Sequence, residues 1–302
     1  MYWLEVSVRT DGEAAEAVAE ALQPLAHGNG VVLEQLGDPH DLDPLALEPE
    51  VTVKIYLPED QDTPAVRRRI EEIIYHLGRL YPIPAPTFRE LADEDWANAW
   101  KAHYHPFRVG QRLWIQPSWL ALEAERAGDV ILTLDPGMAF GTGLHPTTQM
   151  CLQAIEQLTR PGSTMLDVGT GTGILAIAAA KLGASAVLGV DNDRLAVAAA
   201  SENAAKNDVA SQITIREGTL AEVPLAPYDL VVVNILAPVI VGLLREGGLL
   251  GYVAPAGQLV LSGIIDEQAP QVIAALTAAG GSVHEMLTVR DWVAIIAHPA
   301  GT

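Results

Sequence analysis

The residues able to do chemistry concentrate in the second half of the chain, around Met165-Leu166-Asp167-Val168-Gly169-Thr170-Gly171-Thr172-Gly173. An apolar strand there meets three alternate glycines and runs into the apolar helical stretch Ile174–Leu182. Glycines in this pattern permit backbone angles closed to other residues and let the main chain approach a ligand closely. The next apolar strand, Ala186–Val190, ends in Asp191, 22 residues after Gly169. A carboxylate at that place can accept hydrogen bonds from both hydroxyls of a ribose. Two nucleotide chemistries satisfy this spacing. Gly171-Thr172-Gly173-Ile174-Leu175-Ala176 fits the dinucleotide form G-x-G-x-x-G/A, with Asp191 20 residues beyond Gly171. The earlier carboxylate, Asp167, inside Asp-x-Gly-x-Gly-x-Gly, favours S-adenosylmethionine over a nicotinamide cofactor.

Two flanking segments bear on the choice. Upstream, Leu134–Thr148 is dense in glycine, proline and hydroxyls, and precedes the first strand of the nucleotide fold. It is expected to form a flap over the methionine end of the cofactor, which a nicotinamide domain does not need. Downstream, the apolar strand Tyr228–Val233 ends in Asn234-Ile235-Leu236-Ala237. That puts an uncharged polar side chain at the carboxyl edge of the fourth strand, where ligands of open α/β sheets bind. His145 is a candidate general base, but Pro146 follows it and no carboxylate partner is identifiable. Glu217-Gly218 reads either as a neighbour of the adenine or as an exposed turn. Cys151, the single cysteine, rules out an internal disulfide and any multi-cysteine metal site, and its apolar helical setting marks it as a packing residue. No metal-ligand cluster is present.

These residues require a scaffold of alternating strands and helices. Over 1–93 the pattern is strand (Tyr2–Arg9), helix (Gly12–Leu25), strand (Gly30–Leu36), strand (Val51–Leu57), helix (Thr63–Leu80) and strand (Thr87–Leu91). That order predicts a small α+β, ferredoxin-like domain without a catalytic cluster of its own, suited to binding or positioning a substrate. Residues 94–128 are expected to be a linker, with Trp96, Trp100, Trp114 and Trp119 pinning it onto the second domain. From 129 to 302 the alternation predicts an α/β domain: a parallel sheet with helices on both faces. It closes with Leu259–Ile265 and an antiparallel pair, Val283–Val289 and Trp292–Ala297, turning at Arg290-Asp291.

Composition narrows the partners. The 302 residues are 49% hydrophobic and carry 38 acidic against 18 basic side chains, a formal charge of −20. Such a surface repels phosphate backbones and anionic lipids, so neither nucleic acid nor a membrane is expected as a direct partner, whereas a basic protein is attracted. The start of the chain lacks the basic and apolar stretches of a signal peptide, and a cytoplasmic protein is expected.

Taken together, Phe140-Gly141-Thr142-Gly143-Leu144-His145-Pro146-Thr147-Thr148, the glycine turn and Asn234-Ile235-Leu236-Ala237 resemble the signature of the bacterial ribosomal protein L11 methyltransferases (the PrmA family). Glu94-Asp95-Trp96, Trp100-Lys101, Pro106, Gly110 and Pro117-Ser118-Trp119 are similar to that family too, and Trp3-Leu4-Glu5 more weakly. Leu144 stands where the family usually has threonine. The resemblance implies a Rossmann-like, seven-stranded class I methyltransferase domain behind a substrate-recognition domain. It implies that Thr148, Gly169, Asp191 and Asn234 contact S-adenosyl-L-methionine or line its pocket, with Phe140, Gly141, Thr142, Gly171 and Asp167 around them and Asn234 holding the acceptor amine. The substrate it implies is ribosomal protein L11, a basic protein methylated on lysines and its N-terminal amine. The divergent first 90 residues leave open lysines of another protein or, with a closed pocket, a small molecule.

Overall fold

The computed structural model describes residues 2–27, 31–37, 47–79, 83–92, 106–120, 126–134, 143 and 145–300. The chain divides into two compact units, Met1–Tyr104 and His105–Thr302.

In the first unit, β1 (Tyr2–Asp11), α1 (Gly12–Leu22), β2 (Val31–Gly37), β3 (Leu47–Pro58), α2 (Pro64–Leu77) and β4 (Thr87–Ala92) follow in that order. The strands form one antiparallel sheet, β2-β3-β1-β4. Period-two alternation explains it: Leu4, Val6 and Val8 of β1 and Val53, Ile55 and Leu57 of β3 are all essentially inaccessible. They share a core with Val18 and Leu22 of α1 and Ile70 and Ile74 of α2. Thr63 starts α2, its Oγ1 accepting from Val66 N at 3.2 Å, with Pro64 in the first turn, where no amide is needed. Asp62, just before it, is gripped by Arg67 through two 2.6 Å bonds, which hold its carboxyl below the usual range. The β-α-β-β-α-β order is the one expected from the sequence; β3 begins four residues earlier than the alternation suggested.

The second unit opens with β5 (Phe107–Val109), β6 (Leu113–Gln116) and β7 (Val130–Thr133), a small three-stranded sheet. Two of its strands lie in the stretch read as a linker. Trp114 sits on β6, under the Arg108 guanidinium at 4.6 Å, and donates to Asp129 at 3.3 Å. Trp96 and Trp100 lie outside the described residues. There follow α3 (Pro146–Leu158), β8 (Thr164–Val168), α4 (Ile174–Lys181), β9 (Ala186–Asp191), α5 (Arg194–Lys206), β10 (Ile213–Glu217), β11 (Tyr228–Asn234), α6 (Ala237–Arg245), β12 (Val253–Ile265), α7 (Ala269–Ala278), β13 (Gly281–Val289) and β14 (Trp292–Pro299).

The main sheet has the order β10-β9-β8-β11-β12-β14-β13. β10 to β12 are mutually parallel, and β14 runs antiparallel between β12 and β13. Arg290 takes the left-handed conformation (φ +53°) that the β13–β14 turn requires. From Ile174 to Ala180 α4 is entirely buried, its alanines letting it lie close on the sheet. Cys151, on α3, is inaccessible, and burial pushes its thiol far up. Among the described residues, no helix is long and apolar enough to cross a membrane.

Candidate active site

The chain runs outward from β8 through β9 to β10, then crosses back to β11 on the other side of β8. The carboxyl ends of β8 and β11 therefore flank the topological switch point, where open α/β sheets bind ligands. Register places Val168 opposite Val233 and Val190, Asp191 opposite Glu217, and Asn234 opposite Ser262. Glu217, Asp191, the glycine turn, Asn234 and Ser262 thus form one row along that edge.

The turn is built from main chain. Gly169, Gly171 and Gly173 have φ of +75°, +55° and +80°, a region that side-chain-bearing residues enter only with strain. Gly169 and Thr170 donate to the Val190 carbonyl at 2.9 and 3.0 Å, which ties the turn to β9. Asp191 faces the same turn: its carboxylate accepts from Gly171 N at 2.9 Å and Asp193 N at 3.0 Å. Each oxygen keeps lone-pair capacity for a further donor.

Asp167 is completely buried below the turn. Its Oδ2 accepts from the Thr170 hydroxyl at 2.7 Å, while Oδ1 has no hydrogen-bond partner among the described residues. Burial pushes its carboxyl up to about 7, the Thr170 bond opposing and the Asp191 charge adding to the rise. Asp167 thus underlies the turn that leads into α4, whose start at Gly173 has no side-chain cap among the described residues.

On the other side of the switch point, Asn234 is half-buried and donates from Nδ2 to Thr148 Oγ1 at 3.4 Å. Thr148 is inaccessible, in the first turn of α3. With Nδ2 held there, Oδ1 of Asn234 is left to accept. His145 is the N-cap of α3: Nδ1 accepts from Thr147 N at 3.3 Å and lies 2.7 Å from its hydroxyl, and the ring meets Trp292 edge-on at 4.7 Å. Nδ1 is thus engaged in capping the helix. Phe140, Gly141 and Thr142, and with them most of the expected flap, lie outside the described residues.

Two asparagines that sequence reasoning passed over anchor α5: Asn203 to the glycine turn, and Asn207, at the end of the helix, to β7. Asn203 Nδ2 donates to the Thr172 carbonyl at 3.0 Å, and Asn207 accepts from Thr133 N at 2.8 Å and donates to Thr133 O at 2.7 Å. Both are at least 95% buried. Their signal was available: asparagine is a poor helix former, yet Asn203 sits inside an otherwise alanine-rich helix and Asn207 caps its end.

The family model of ribosomal protein L11 methyltransferase (PrmA) matches residues 2–299. The chain belongs to that family. It is 42% identical to the ribosomal protein L11 methyltransferase of Chloroflexus aurantiacus, over 97% of each chain. With that of Pelotomaculum thermopropionicum it shares 44% identity, over 98% of this chain and 99% of the relative. The crystal structure of a ribosomal protein L11 methylase from Lactobacillus delbrueckii subsp. bulgaricus superposes with a TM-score of 0.61 at 34% identity, covering 65% of this chain and all of that one. As a member of the family the protein is a methyltransferase dependent on S-adenosylmethionine. Its residues fit that cofactor: a glycine turn left partly accessible at Gly169 and Gly171, a ribose-type carboxylate in Asp191, and a buried Asp167 oxygen lacking a donor among the described residues.

Proposed function

We propose that the protein transfers methyl groups from S-adenosyl-L-methionine to lysine side-chain amines and the N-terminal amine of ribosomal protein L11, with Asn234 as the catalytic residue. The observation that carries this reading is the junction of Thr148 and Asn234 beside the glycine turn at the switch point. The cofactor supplies a methyl carbon already made electrophilic by its sulfonium, so the chain's main task is alignment of the nucleophile. A lysine amine has an ordinary pKa of about 10.4 and must be neutral to attack. Desolvation at an apolar mouth lowers that value. Asn234 Oδ1, fixed because Nδ2 is engaged by Thr148, accepts one amine N–H and so aims the lone pair. Gly169, Gly171, Asp191 and Thr148 hold the cofactor, with Phe140, Gly141 and Thr142 of the flap segment over its methionine end. Asp167 keeps the turn and α4 in place.

Residues 1–93 are assigned to recognition of the protein substrate and 129–302 to catalysis, joined through 94–128. A ribosomal protein substrate, basic where this chain is acidic, puts the reaction in the cytoplasm, without direct nucleic-acid contact. The test is methyl transfer from labelled S-adenosylmethionine to purified L11. Label is expected on lysines and the N-terminal amine, and Asn234→Ala should lower the rate at least about 100-fold. Cofactor binding with L11 left unlabelled would overturn the substrate; binding of a nicotinamide cofactor instead would overturn the reading of the turn.

A further inference from the structure

The segment that follows Asn234 is clamped from two sides. Ile235 donates its N–H to Ser262 O at 3.2 Å. Gly263, at φ +82° in a bulge of β12 against β14, comes so close that a Cβ there would lie 2.8 Å from Ile235 C and 3.0 Å from its N, and nearer still to its O. From the cofactor side, a Cβ on Gly169 would strike Ile235 Cγ2. Ile235 is thus wedged between the glycine turn and the β12 bulge, and the chain beyond it has no freedom to retreat. The next residue, Leu236, is 71% exposed. Its own carbonyl starts α6, accepting from Val239 N at 3.0 Å and Ile240 N at 3.2 Å. One turn along, Val239 is 49% exposed, while Ala237, Ile240, Val241 and Leu244 fill the core.

Two apolar side chains are therefore exposed on a firmly held stretch of backbone, within five residues of Asn234. Leaving apolar surface in water is unfavourable in proportion to its area, and apolar surface on a fixed backbone beside a reacting centre is suited to binding, because little backbone ordering cost remains. The acceptor amine proposed above reaches Asn234 at the end of a four-methylene stem when it is a lysine, and without such a stem when it is an N-terminal amine. We propose that Leu236 and Val239 form an apolar lip on which the alkyl stem of the substrate lysine rests, so that they select lysine side chains over α-amines. This rests on the reading of the protein as an amine methyltransferase acting on L11. The stem packs against Leu236 while its nitrogen meets Asn234 Oδ1, and covering the lip also removes water from the amine, favouring its neutral form.

The experiment is site-resolved methylation of intact L11 by the full chain, wild type and Leu236→Ser, with Val239→Ser as a second variant on the same lip. Cofactor dissociation constants are measured alongside. Both side chains are exposed, so folding is not at stake in either variant. The expected result is a fall of about tenfold in kcat/KM for lysines, a change under about twofold for the N-terminal amine, and unchanged cofactor affinity. Equal losses at both kinds of amine, or no loss at either, would overturn the lip. If wild-type protein binds the cofactor but labels neither kind of amine, the L11 reading fails and the lip falls with it.

Discussion

Asp167 shows how one side chain ties the cofactor turn to stability. Fully buried and pushed up to about 7, it is protonated in the folded chain at pH values where the unfolded chain has already ionised it. Between pH 4 and 7 the folded state therefore holds a proton that the unfolded state has lost. Stability from this group is fully present below the unfolded pKa and declines as pH rises, by at most about 1.4 kcal/mol per pH unit. Denaturant unfolding at pH 5 and pH 7.5 should show this slope in the wild type and its loss in Asp167→Asn; an identical slope in the variant would refute the assignment. His145 makes the opposite point. A histidine beside a glycine-rich segment invites a catalytic role, but here its Nδ1 serves the first turn of α3.

At the scale of elements, the glycines that matter are those another backbone element approaches. Gly263 and Gly280 both sit at positive φ, +82° and +91°, so alanine strains either one by about 1 kcal/mol. Of the two, only Gly263 has Ile235 against it; none of the described residues lies within 4 Å of the space above Gly280. Gly263→Ala should thus shift the Asn234 segment and lower kcat at least about tenfold, because misplacement by 1 Å costs on the order of 100-fold, while Gly280→Ala leaves kcat within about twofold. Steady-state kinetics decide it, and equal kcat values in the two variants would exclude a positioning role for the bulge. The helices follow the same logic of close approach. α4, alanine-rich and wholly buried, was legible because its glycine turn, its apolar run and the strand after it occur in sequence order. The β12 bulge was not legible, since Ser262-Gly263 inside an apolar strand has no local feature that says which backbone will press on it.

Over the whole molecule, charge is the dominant property. At −20, the protein attracts a basic partner over distances that salt controls, the screening length shrinking from about 10 Å at 0.1 M to about 3 Å at 1 M. If ribosomal protein L11 is the substrate, raising salt from 50 to 500 mM should increase its KM several-fold and leave the KM for S-adenosylmethionine nearly constant. A salt-insensitive KM for the protein would remove electrostatic attraction from recognition. The division into units was partly legible at this scale. Alternation over residues 2 to 92 announces the first sheet, whereas β5 and β6, two strands of the small sheet, fell within a stretch read as linker. Its strands are three or four residues long, and β5 and β6 become strands only through pairing with each other and with β7.

The sequence by itself determined the strand–helix alternation, the cofactor turn with Asp167 and Asp191, and Asn234 at the end of its strand. Each of these is a local pattern of residue type and spacing. Only the tertiary structure decided that Thr148 turns the Asn234 amide, that Asn203 braces the turn from another helix while Asn207 holds that helix to β7, and that Ile235 is pinned between Gly169 and Gly263 with Leu236 left outside. Those partners are separated in sequence by 28 to 86 residues where Asn234 or Ile235 is concerned, from Gly263 to Thr148. The order in which strands pair brings them together, and no periodicity along the chain records that order.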